Sequence, residues 1–426
     1  MTKYKNNHYV PQWYQEGFIP SDEPVRNLQY LDLNPATFTK PDGRLIKDKD
    51  VRPWGPSKCF AEPDLYTRWF GAERNTQVEE LFFGRIDAKA RDSIKYFNEY
   101  DHTSIDYEAL HNMLPYLGSQ RLRTPRGLAW ISAETGVTDK NQLMQAMASL
   151  RDIYSAVWAE CIWQIADADN SETKLIISDN PVTVYNREIG THNSTWHRDR
   201  SDPDITLFGS HTIFALTMNK VLILTHPGWA KSPYQNGMLR RPNIQPYRPT
   251  VFNYTQIQID RHLTEEEVRQ INFILKSKAQ RYVAAYKKEW LYPEKHVDPR
   301  AWRDFGDGRL FLPDPRSLTT GTQYFVGFKD GRTYAQDEYG RLPTQDQPSQ
   351  VELNTLHRIQ GEFAHKYGPV RRGISFSMGE LEEAVDSDSM HELYLSRYRP
   401  RGSEAKRLKL AMKAQRFKKG NTERNK

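Results

Sequence analysis

The stretch that decides the fold class is 174-KLIISDNPVTVYN-186. Its apolar residues Leu175 to Ile177 lead into a polar turn at Asp179-Asn180-Pro181, after which β-branched residues resume. This pattern predicts two strands separated by a turn. The later stretch 212-TIFALTMNKVLILTHP-227 predicts a β-hairpin that turns at residues 218–220. We therefore expect the middle of the chain to form a sheet.

Helical patterns lie on both sides of this predicted sheet. Downstream, Thr264 and Glu267 form a capping-box pattern, and the apolar stripe behind them predicts a helix from 264 to about 290. Upstream, apolar residues recur at helical spacing in three segments, which are 76–97, 104–119 and 139–166. Helices grouped outside a run of strands predict an α+β fold, in which an antiparallel sheet is packed with several long helices.

These patterns predict one large domain over residues 1–290. Its parts are an N-terminal β region (1–70), a helical part (71–170), β-hairpins (171–260) and the capped helix (264–290). In the first part, 27-NLQYLDL-33 predicts a strand and 40-KPDGR-44 predicts a tight turn.

A smaller region is predicted after residue 300. The stretch 324-YFVGFKDGRTYAQDEYG-340 has the Asp330-Gly331 turn of a hairpin, and residues 349–366 have helical spacing. We predict an appended α+β region over 300–396, followed by a basic tail at 397–426 that is expected to be disordered.

The positive charge of the protein is concentrated in that tail. The whole chain has a formal net charge of +6, yet from Arg397 onward twelve Lys and Arg face only Glu404 and Glu423. The other 396 residues hold 48 basic and 52 acidic groups, a balance of −4. A basic arm adds salt-dependent affinity for any polyanion, so nucleic acid is a predicted partner, although improved solubility explains the same charge.

Composition and missing motifs exclude several common classes. No stretch approaches the roughly 20 apolar residues that cross a bilayer, and Lys3 and Lys5 lead into no apolar secretion-signal core, so no membrane partner is predicted. The two cysteines, Cys59 and Cys161, lack zinc-site spacing, and a reducing cytoplasm is the simplest location. The chain has no Walker A loop, Rossmann glycine fingerprint, GxSxG elbow or HExxH pattern, which argues against the common nucleotide, hydrolase and zinc-protease chemistries.

Four separated motifs resemble one family. They are NHYVPQWY at 7–14, AEPDLYT at 61–67, SDNPV at 178–182 and INFILKSKAQRYV at 271–283. In this order and spacing they are similar to the bacterial DUF4238 family, whose members have no assigned function. The resemblance covers about residues 6–286 and implies no activity, so the roles of individual residues are argued from their chemistry.

Three residues are predicted to form the core of a catalytic site. His8 ionises near neutral pH and is the candidate to move a proton, although a buried structural histidine that holds the N-terminus is the alternative. Asp179 follows a buried strand that would fix it in a pocket, yet Asp before Asn-Pro is also an ordinary turn former. Arg121 would offset phosphate charge or satisfy carbonyls at a helix end, whereas Arg123 and Arg126 are expected on the solvated surface.

Four amide side chains are predicted to contact a substrate, namely Asn7, Gln12, Asn180 and Asn272. Gln12 shares a strand face with His8, and Asn180 lies in the SDNP turn. Asn272 lies on the apolar stripe of the capped helix, where an unpaired amide costs about 1–3 kcal/mol, so it requires a designated partner. Its first predicted role is therefore structural, and its second is ligand contact.

Two acidic residues are candidate metal ligands. Glu62 and Asp64 flank Pro63 in a non-helical segment, where no helix dipole accounts for them. Together with His8 and Asp179 they would supply the oxygen-rich set that a divalent ion needs. A divalent metal is the one cofactor that the sequence suggests, although the spacing does not bring these ligands together.

Two function hypotheses follow from these residues. In the first, the protein is a cytoplasmic bacterial enzyme that acts on a phosphate-containing substrate such as nucleic acid. In the second, it is a non-catalytic binding or effector-partner protein, and HYVPQ, SDNP and Asn272 form one buried hydrogen-bond network. The two hypotheses differ in whether His8, Asp179 and Arg121 line an open, water-filled hollow.

Overall fold

The computed structural model describes residues 6–66, 68–70, 73–75, 83–101, 106–190, 202–231, 233, 236–241, 257–316, 323–327, 329–337 and 350–367. Residues 1–100 with 106–370 form one compact unit, and residues 101–105 with 371–426 form a second. Every helix and strand below belongs to the first unit. The predicted basic tail at 397–426 lies outside the described residues.

The strands in chain order are β1 (Asn6–His8), β2 (Leu28–Asp32), β3 (Thr37–Thr39), β4 (Leu45–Lys47), β5 (Val51–Trp54), β6 (Ala61–Pro63), β7 (Arg68–Phe70), β8 (Glu73–Asn75), β9 (Ile162–Asp167), β10 (Ile177–Ser178), β11 (Val182–Asn186), β12 (Ser210–Ala215), β13 (Lys220–Thr225), β14 (Ile257–His262), β15 (Tyr282–Ala285), β16 (Gln323–Gly327) and β17 (Thr333–Asp337). The α-helices are α1 (Gln12–Gln15), α2 (Gly84–Asn98), α3 (Tyr107–Leu122), α4 (Pro125–Thr135), α5 (Lys140–Ala159), α6 (Pro227–Lys231), α7 (Glu265–Ser277) and α8 (Gln350–Tyr367). The α+β prediction is confirmed.

The larger sheet has five strands in the order β11-β12-β13-β9-β14. Its pairs are antiparallel except for β14, which runs parallel to β9. The predicted hairpin is β12 and β13, with Phe214 opposite Leu222. Because nearly every residue of β11, β12 and β13 is buried, this sheet is the centre of the core rather than a half-exposed layer.

The second sheet has four antiparallel strands in the order β10-β15-β2-β5. The strands before and after the SDNP turn therefore belong to different sheets, since β10 pairs with β15 while β11 pairs with β12. The turn at 179–181 is the point at which the chain passes from one sheet to the other. The predicted tight turn at KPDGR connects β3 to β4, and Gly43 has the positive φ of +80° that such a turn requires.

Side-chain caps set where the helices begin. The N-cap residues Asp106, Thr124 and Asp139 each accept a hydrogen bond at 3.0 Å from a backbone N–H in the first turn of α3, α4 and α5. The capping box of α7 is confirmed, because Thr264 and Glu267 exchange side chain-to-backbone hydrogen bonds. Helix α2 packs on α3, and α3 and α4 pack on α5.

Two predicted helices are shorter than their apolar patterns suggested. The predicted helix at 139–166 ends at Ala159, and Ile162–Asp167 is instead the strand β9, whose β-branched and aromatic residues pair with two neighbours. The predicted helix at 264–290 ends at Ser277 because residues 280–282 turn their N–H groups toward Asp179, after which β15 begins. Tertiary hydrogen bonding overrides the helical spacing in both cases.

The region after residue 300 contributes to the packing of the first unit. Trp302, Phe305 and Phe311 are buried in the main core. The predicted hairpin is β16 with β17, and the predicted helix at 349–366 is α8. A smaller apolar cluster joins Ile359 of α8 to Trp229 and Leu312. Among the described residues, no helix has both the length and the apolar character needed to span a bilayer.

Candidate functional site

The SDNP turn is held by its own aspartate. Asp179 is 3% exposed, and its two carboxylate oxygens accept hydrogen bonds from the backbone N–H groups of Gln280, Arg281 and Tyr282 at 2.7–2.8 Å. This arrangement fixes the segment between α7 and β15 beside the turn. Burial raises the pKa of Asp179, and the three backbone hydrogen bonds oppose that shift.

This geometry does not favour the open hollow that the catalytic hypothesis requires. The Asp179 carboxylate faces backbone donors rather than solvent, and among the described residues no hydrogen bond or ion pair joins it to His8. The carboxylate lies at the end of a buried strand as predicted, but the chain itself satisfies it. Its catalytic role stays a prediction that this geometry does not favour.

Asn180 leads to a buried carboxylate that the sequence analysis did not single out. The Asn180 side-chain amide donates to Asp202 Oδ2 at 2.9 Å and to the Lys278 carbonyl at 3.2 Å. Arg121 Nη1 donates to the same Asp202 oxygen at 2.9 Å, and Arg126 Nη2 donates to Asp202 Oδ1 at 3.1 Å. We call Asp202, Arg121, Arg126, Asn180 and Lys278 the Asp202 cluster.

Lys278 is the least satisfied member of the Asp202 cluster. Its side chain is 7% exposed and its ammonium lies 5.7 Å from the centre of the Trp302 ring. It makes no hydrogen bond or ion pair with any residue that the structure describes. Burial lowers the pKa of Lys278, Asp202 opposes this shift, and the nearby Arg126 and Arg121 reinforce it. The cluster thus holds a buried cation that lacks a hydrogen-bond acceptor within the described ranges.

The carboxylate at the centre of the cluster is strongly held in its ionised form. Burial alone would raise the pKa of Asp202, but Arg126, Arg121 and Lys278 outweigh this and lower it. Both of its oxygens already accept hydrogen bonds from guanidinium groups. Asp202 therefore serves as the shared counter-ion of the surrounding cations at neutral pH.

A tight corner between two helices positions the arginines. Arg121 lies in the last turn of α3, Thr124 caps α4, and Arg126 lies in the first turn of α4. Gly127 permits this corner, because a Cβ atom there would lie 2.3 Å from the Arg121 carbonyl oxygen and 2.6 Å from that of Leu122. On the opposite side, Lys278 is the C-cap residue of α7. Residues far apart in sequence thus converge on Asp202.

The expected surface positions of Arg123 and Arg126 are wrong. Arg123 is 1% exposed, donates to Gln120 and Asp87, and lies over the ring of Phe83. Arg126 belongs to the Asp202 cluster. One feature of the sequence RLRTPR indicates this arrangement, because Thr-Pro predicts the start of a helix. The corner before that helix turns the side chains of Arg121, Arg123 and Arg126 inward.

His8 lies in a different place from the Asp202 cluster. In β1 it pairs with Ala61, its Nε2 lies 3.1 Å from the Ser57 carbonyl oxygen, and the Gln12 amide is 3.4 Å from its ring nitrogens. Burial lowers the pKa of His8, and the contact with Ser57 opposes this. Among described residues, no hydrogen bond or ion pair links His8 with Asp202 or Arg121. The described contacts of His8 thus give no support to its predicted proton-transfer role, which stays a prediction.

The other predicted amides act within the fold. Asn272 is fully buried, and its side chain accepts from the Ile176 N–H at 3.1 Å and donates to the Lys174 carbonyl at 2.9 Å. Asn272 therefore connects α7 to the segment before the SDNP turn by hydrogen bonds, which agrees with the structural role predicted first for this residue. Asn7 is 1% exposed and accepts a hydrogen bond from the Tyr66 N–H at 3.3 Å.

The predicted metal ligands do not meet as a set. Glu62 lies in β6 opposite Asn7, and Asp64 follows that strand with a positive φ of +53°. Within the described ranges, no group of three or more His, Cys, Asp or Glu side chains is arranged to hold a metal ion. The other two candidate ligands that the sequence suggested make different contacts. His8 contacts the Ser57 carbonyl oxygen, and Asp179 accepts hydrogen bonds from backbone N–H groups.

The middle of the chain matches a known family model. Residues 139–289 match the family model described as a protein of unknown function (DUF4238). The match confirms the suspected resemblance over these residues, which include the SDNP turn, Asp202 and Lys278. No curated protein and no solved structure matches the chain. The matched residues therefore include three of the five residues of the Asp202 cluster, while Arg121 and Arg126 precede the match.

Proposed function

We propose that this protein binds a phosphate-bearing ligand at the Asp202 cluster, and that nucleic acid is the source of the phosphate. The observation that carries the proposal is Lys278, a nearly buried ammonium beside two guanidinium groups that has no acceptor in the part of the chain described. A phosphate group supplies several oxygen acceptors together with negative charge, and an acceptor is what the Lys278 ammonium lacks among the described residues.

The charge balance of the cluster supports an anionic ligand. Arg121, Arg126 and Lys278 carry three positive charges, whereas Asp202 is the one carboxylate among the described residues that forms an ion pair with the two guanidinium groups. The carboxyl group of Asp179 also interacts electrostatically with Arg126. The neighbouring Asp179 is already satisfied by three backbone N–H groups. Buried charges of like sign raise the free energy of the folded state, so a bound anion would relieve their repulsion.

Binding rather than catalysis fits the arrangement of the motifs. HYVPQ, SDNP and Asn272 take part in hydrogen bonds that join strands, helices and turns, which supports the non-catalytic alternative for these motifs. The cluster contains no histidine, and the candidate acid–base residue His8 contacts Ser57 instead. We further propose a bacterial cytoplasm as the location, in line with the two free, buried thiols Cys59 and Cys161.

The experiment measures binding of phosphate ligands by calorimetry at fixed ionic strength. The ligands are inorganic phosphate, a nucleoside monophosphate, and one short oligonucleotide with and without a terminal phosphate. We expect the phosphorylated oligonucleotide to bind more tightly than the unphosphorylated one. Equal affinity of the nucleoside monophosphate would assign the site to free nucleotides instead of nucleic acid.

The site is assigned by comparing two charge-removing variants. Lys278→Gln should weaken phosphate binding about 10- to 100-fold, because a hydrogen bond to a charged group contributes about 1.5–3 kcal/mol. Lys58→Gln removes the same charge from an exposed position and should leave binding unchanged. Undetectable phosphate binding by the wild-type protein, or equal losses in the two variants, contradicts the proposal.

A further inference from the structure

A cavity separate from the Asp202 cluster opens between α7 and the segment after β15. Its volume is about 280 Å³, at the small end of the range for ligand sites. Its wall includes charged residues of both signs and one indole ring. The charged and aromatic residues are Glu172, Glu265, Arg269, Lys287, Glu289, Trp290 and His296.

One side of this cavity is a preformed ion pair. Glu265 accepts hydrogen bonds from Ser171 and Thr173, and Arg269 lies 2.9 Å from one of its oxygens. Burial would raise the pKa of Glu265, but these hydrogen bonds and Arg269 lower it to about 2. This part of the wall is therefore charged at all physiological pH values, internally balanced and fixed in position.

The wall also carries two carboxylates that form no ion pair within the described part of the chain. The side chains of Glu172 and Glu289 are exposed, and neither forms a hydrogen bond or ion pair with a residue in the described ranges. Both line the cavity. Counting the Glu265–Arg269 pair as neutral, the two carboxylates and the single Lys287 ammonium leave the wall with one excess negative charge.

The aromatic part of the wall already holds a cation. Trp290 is 8% exposed, and the Lys287 ammonium lies 5.5 Å from its ring centre. Lys287 is itself exposed and has no hydrogen-bond partner among the described residues, so the ring is its one contact of this kind. An exposed cation–π contact is weak, and a competing cation with additional carboxylate contacts would displace it.

We infer that this cavity binds an alkylguanidinium group, which stacks on Trp290 in place of Lys287 and pairs with Glu172 and Glu289. A planar guanidinium suits this wall better than an ammonium, because it can stack on an indole ring while its edge donates to carboxylates. The same group occurs in small free ligands and on arginine side chains of peptides. This site shares no residue with the Asp202 cluster, and the inference does not depend on the phosphate proposal.

The first experiment titrates the full chain with butylguanidinium and with butylurea, its neutral isostere, by calorimetry. We expect butylguanidinium to bind and butylurea to bind at least tenfold more weakly. Equal binding of the two compounds overturns the inference. N-acetylarginine methylamide is the second arm: binding as tight as that of butylguanidinium assigns a peptide side chain, and weaker binding assigns a small free ligand.

The second experiment uses adjacent lysines as a matched pair. Lys287→Gln should tighten butylguanidinium binding about two- to fivefold, because it removes the internal competitor from the ring. Lys288→Gln removes the same charge from the next residue, which does not line the cavity, and should change the affinity much less. Equal effects of the two substitutions, or weaker binding by Lys287→Gln, overturn the inference.

A third variant tests the carboxylates. Glu289→Gln should weaken butylguanidinium binding about two- to fivefold, the range expected for one exposed ion pair. Because the Glu289 side chain is exposed and makes no hydrogen bond or ion pair with a described residue, the variant should keep the thermal stability of the wild type. Unchanged affinity in a normally folded Glu289→Gln protein overturns the assignment of this residue.

Discussion

Arg121 and Asp202, 81 residues apart in the chain, form a buried ion pair of 2.9 Å. Arg126 shares the same carboxylate from the next helix, and the backbone of Val182 accepts a further hydrogen bond from Arg121. The Arg121–Asp202 pair therefore connects the α3–α4 corner to the SDNP turn, where Asn180 donates to Asp202, and to β11, where Arg121 donates to the Val182 carbonyl. Because each partner is removed from water, the pair couples the helices to the central sheet, and its loss leaves unbalanced charge.

We predict that Asp202→Asn destabilises the protein by about 3–5 kcal/mol, since it leaves buried cations without their counter-ion. The free energy of unfolding from urea denaturation is the measurement. Asp152→Asn is the control, because Asp152 is 68% exposed and pairs with Arg151 at the surface. A loss in Asp202→Asn no larger than that of the control contradicts a central electrostatic role for Asp202.

Phosphate should partly replace the missing carboxylate. A ligand that binds the folded state raises the melting temperature according to its concentration relative to its dissociation constant. We predict a larger rise for Asp202→Asn than for the wild type when phosphate replaces chloride at equal ionic strength. Thermal unfolding followed by circular dichroism measures this difference. Equal rises in the two proteins would mean that the anion acts elsewhere.

The effect of Asp202→Asn should also depend on pH. Although burial opposes it, the pKa of Asp202 is lowered by Arg126, Arg121 and Lys278. A carboxyl group with a lowered folded-state pKa contributes stability above its unfolded pKa of about 3.9 and loses that contribution as pH falls through the folded value. The stability difference between wild type and variant should therefore stay level from pH 7 to about 5 and shrink below about 4. A difference that persists unchanged at pH 3 contradicts this assignment.

Sequence patterns were sufficient where the deciding interactions are local. The β12–β13 hairpin follows from two apolar runs on either side of a short turn, and the start of α7 follows from Thr264 and Glu267, three residues apart. The end of α7 could not be predicted in the same way. The spacing of Tyr282 and Tyr286 continues the helical stripe. The N–H groups of residues 280–282 nevertheless donate hydrogen bonds to Asp179, about a hundred residues earlier in the chain, and the helix does not continue.

The candidate site was only partly visible in the sequence for the same reason. Arg121 and Asn180 were singled out, and both belong to the Asp202 cluster. Asp202 follows a polar stretch in which nothing distinguishes one aspartate from the next, and the helix predicted over 264–290 gives Lys278 no special role. Burial gives these two residues their chemical character, and burial of a charged side chain depends on long-range packing that spacing does not encode.

The α3–α4 corner provides a steric test of the site. We predict that Gly127→Ala destabilises the protein by about 3 kcal/mol and weakens phosphate binding, because the new Cβ atom would overlap the carbonyl oxygens of Arg121 and Leu122. Gly361→Ala is the control, since no atom lies within 4 Å of a Cβ built there and alanine favours a helix by about 0.5–1 kcal/mol. Urea denaturation and phosphate calorimetry on both variants check the prediction, and a neutral Gly127→Ala contradicts it.

His8 can be separated from the Asp202 cluster by its pH dependence. Burial lowers the pKa of His8, so the folded state prefers the neutral ring. A histidine with a lowered folded-state pKa contributes stability above its unfolded value of about 6.5, and this contribution is lost as pH falls through that value. We predict that the wild type loses more stability than His8→Gln between pH 7.5 and 5.5, as measured by urea denaturation, while both bind phosphate equally at pH 7.5.

His357→Gln, at an exposed position of α8, controls for the loss of a histidine and should behave like the wild type. Loss of phosphate binding in a folded His8→Gln protein would return His8 to the functional site and remove the case for a purely structural N-terminal motif.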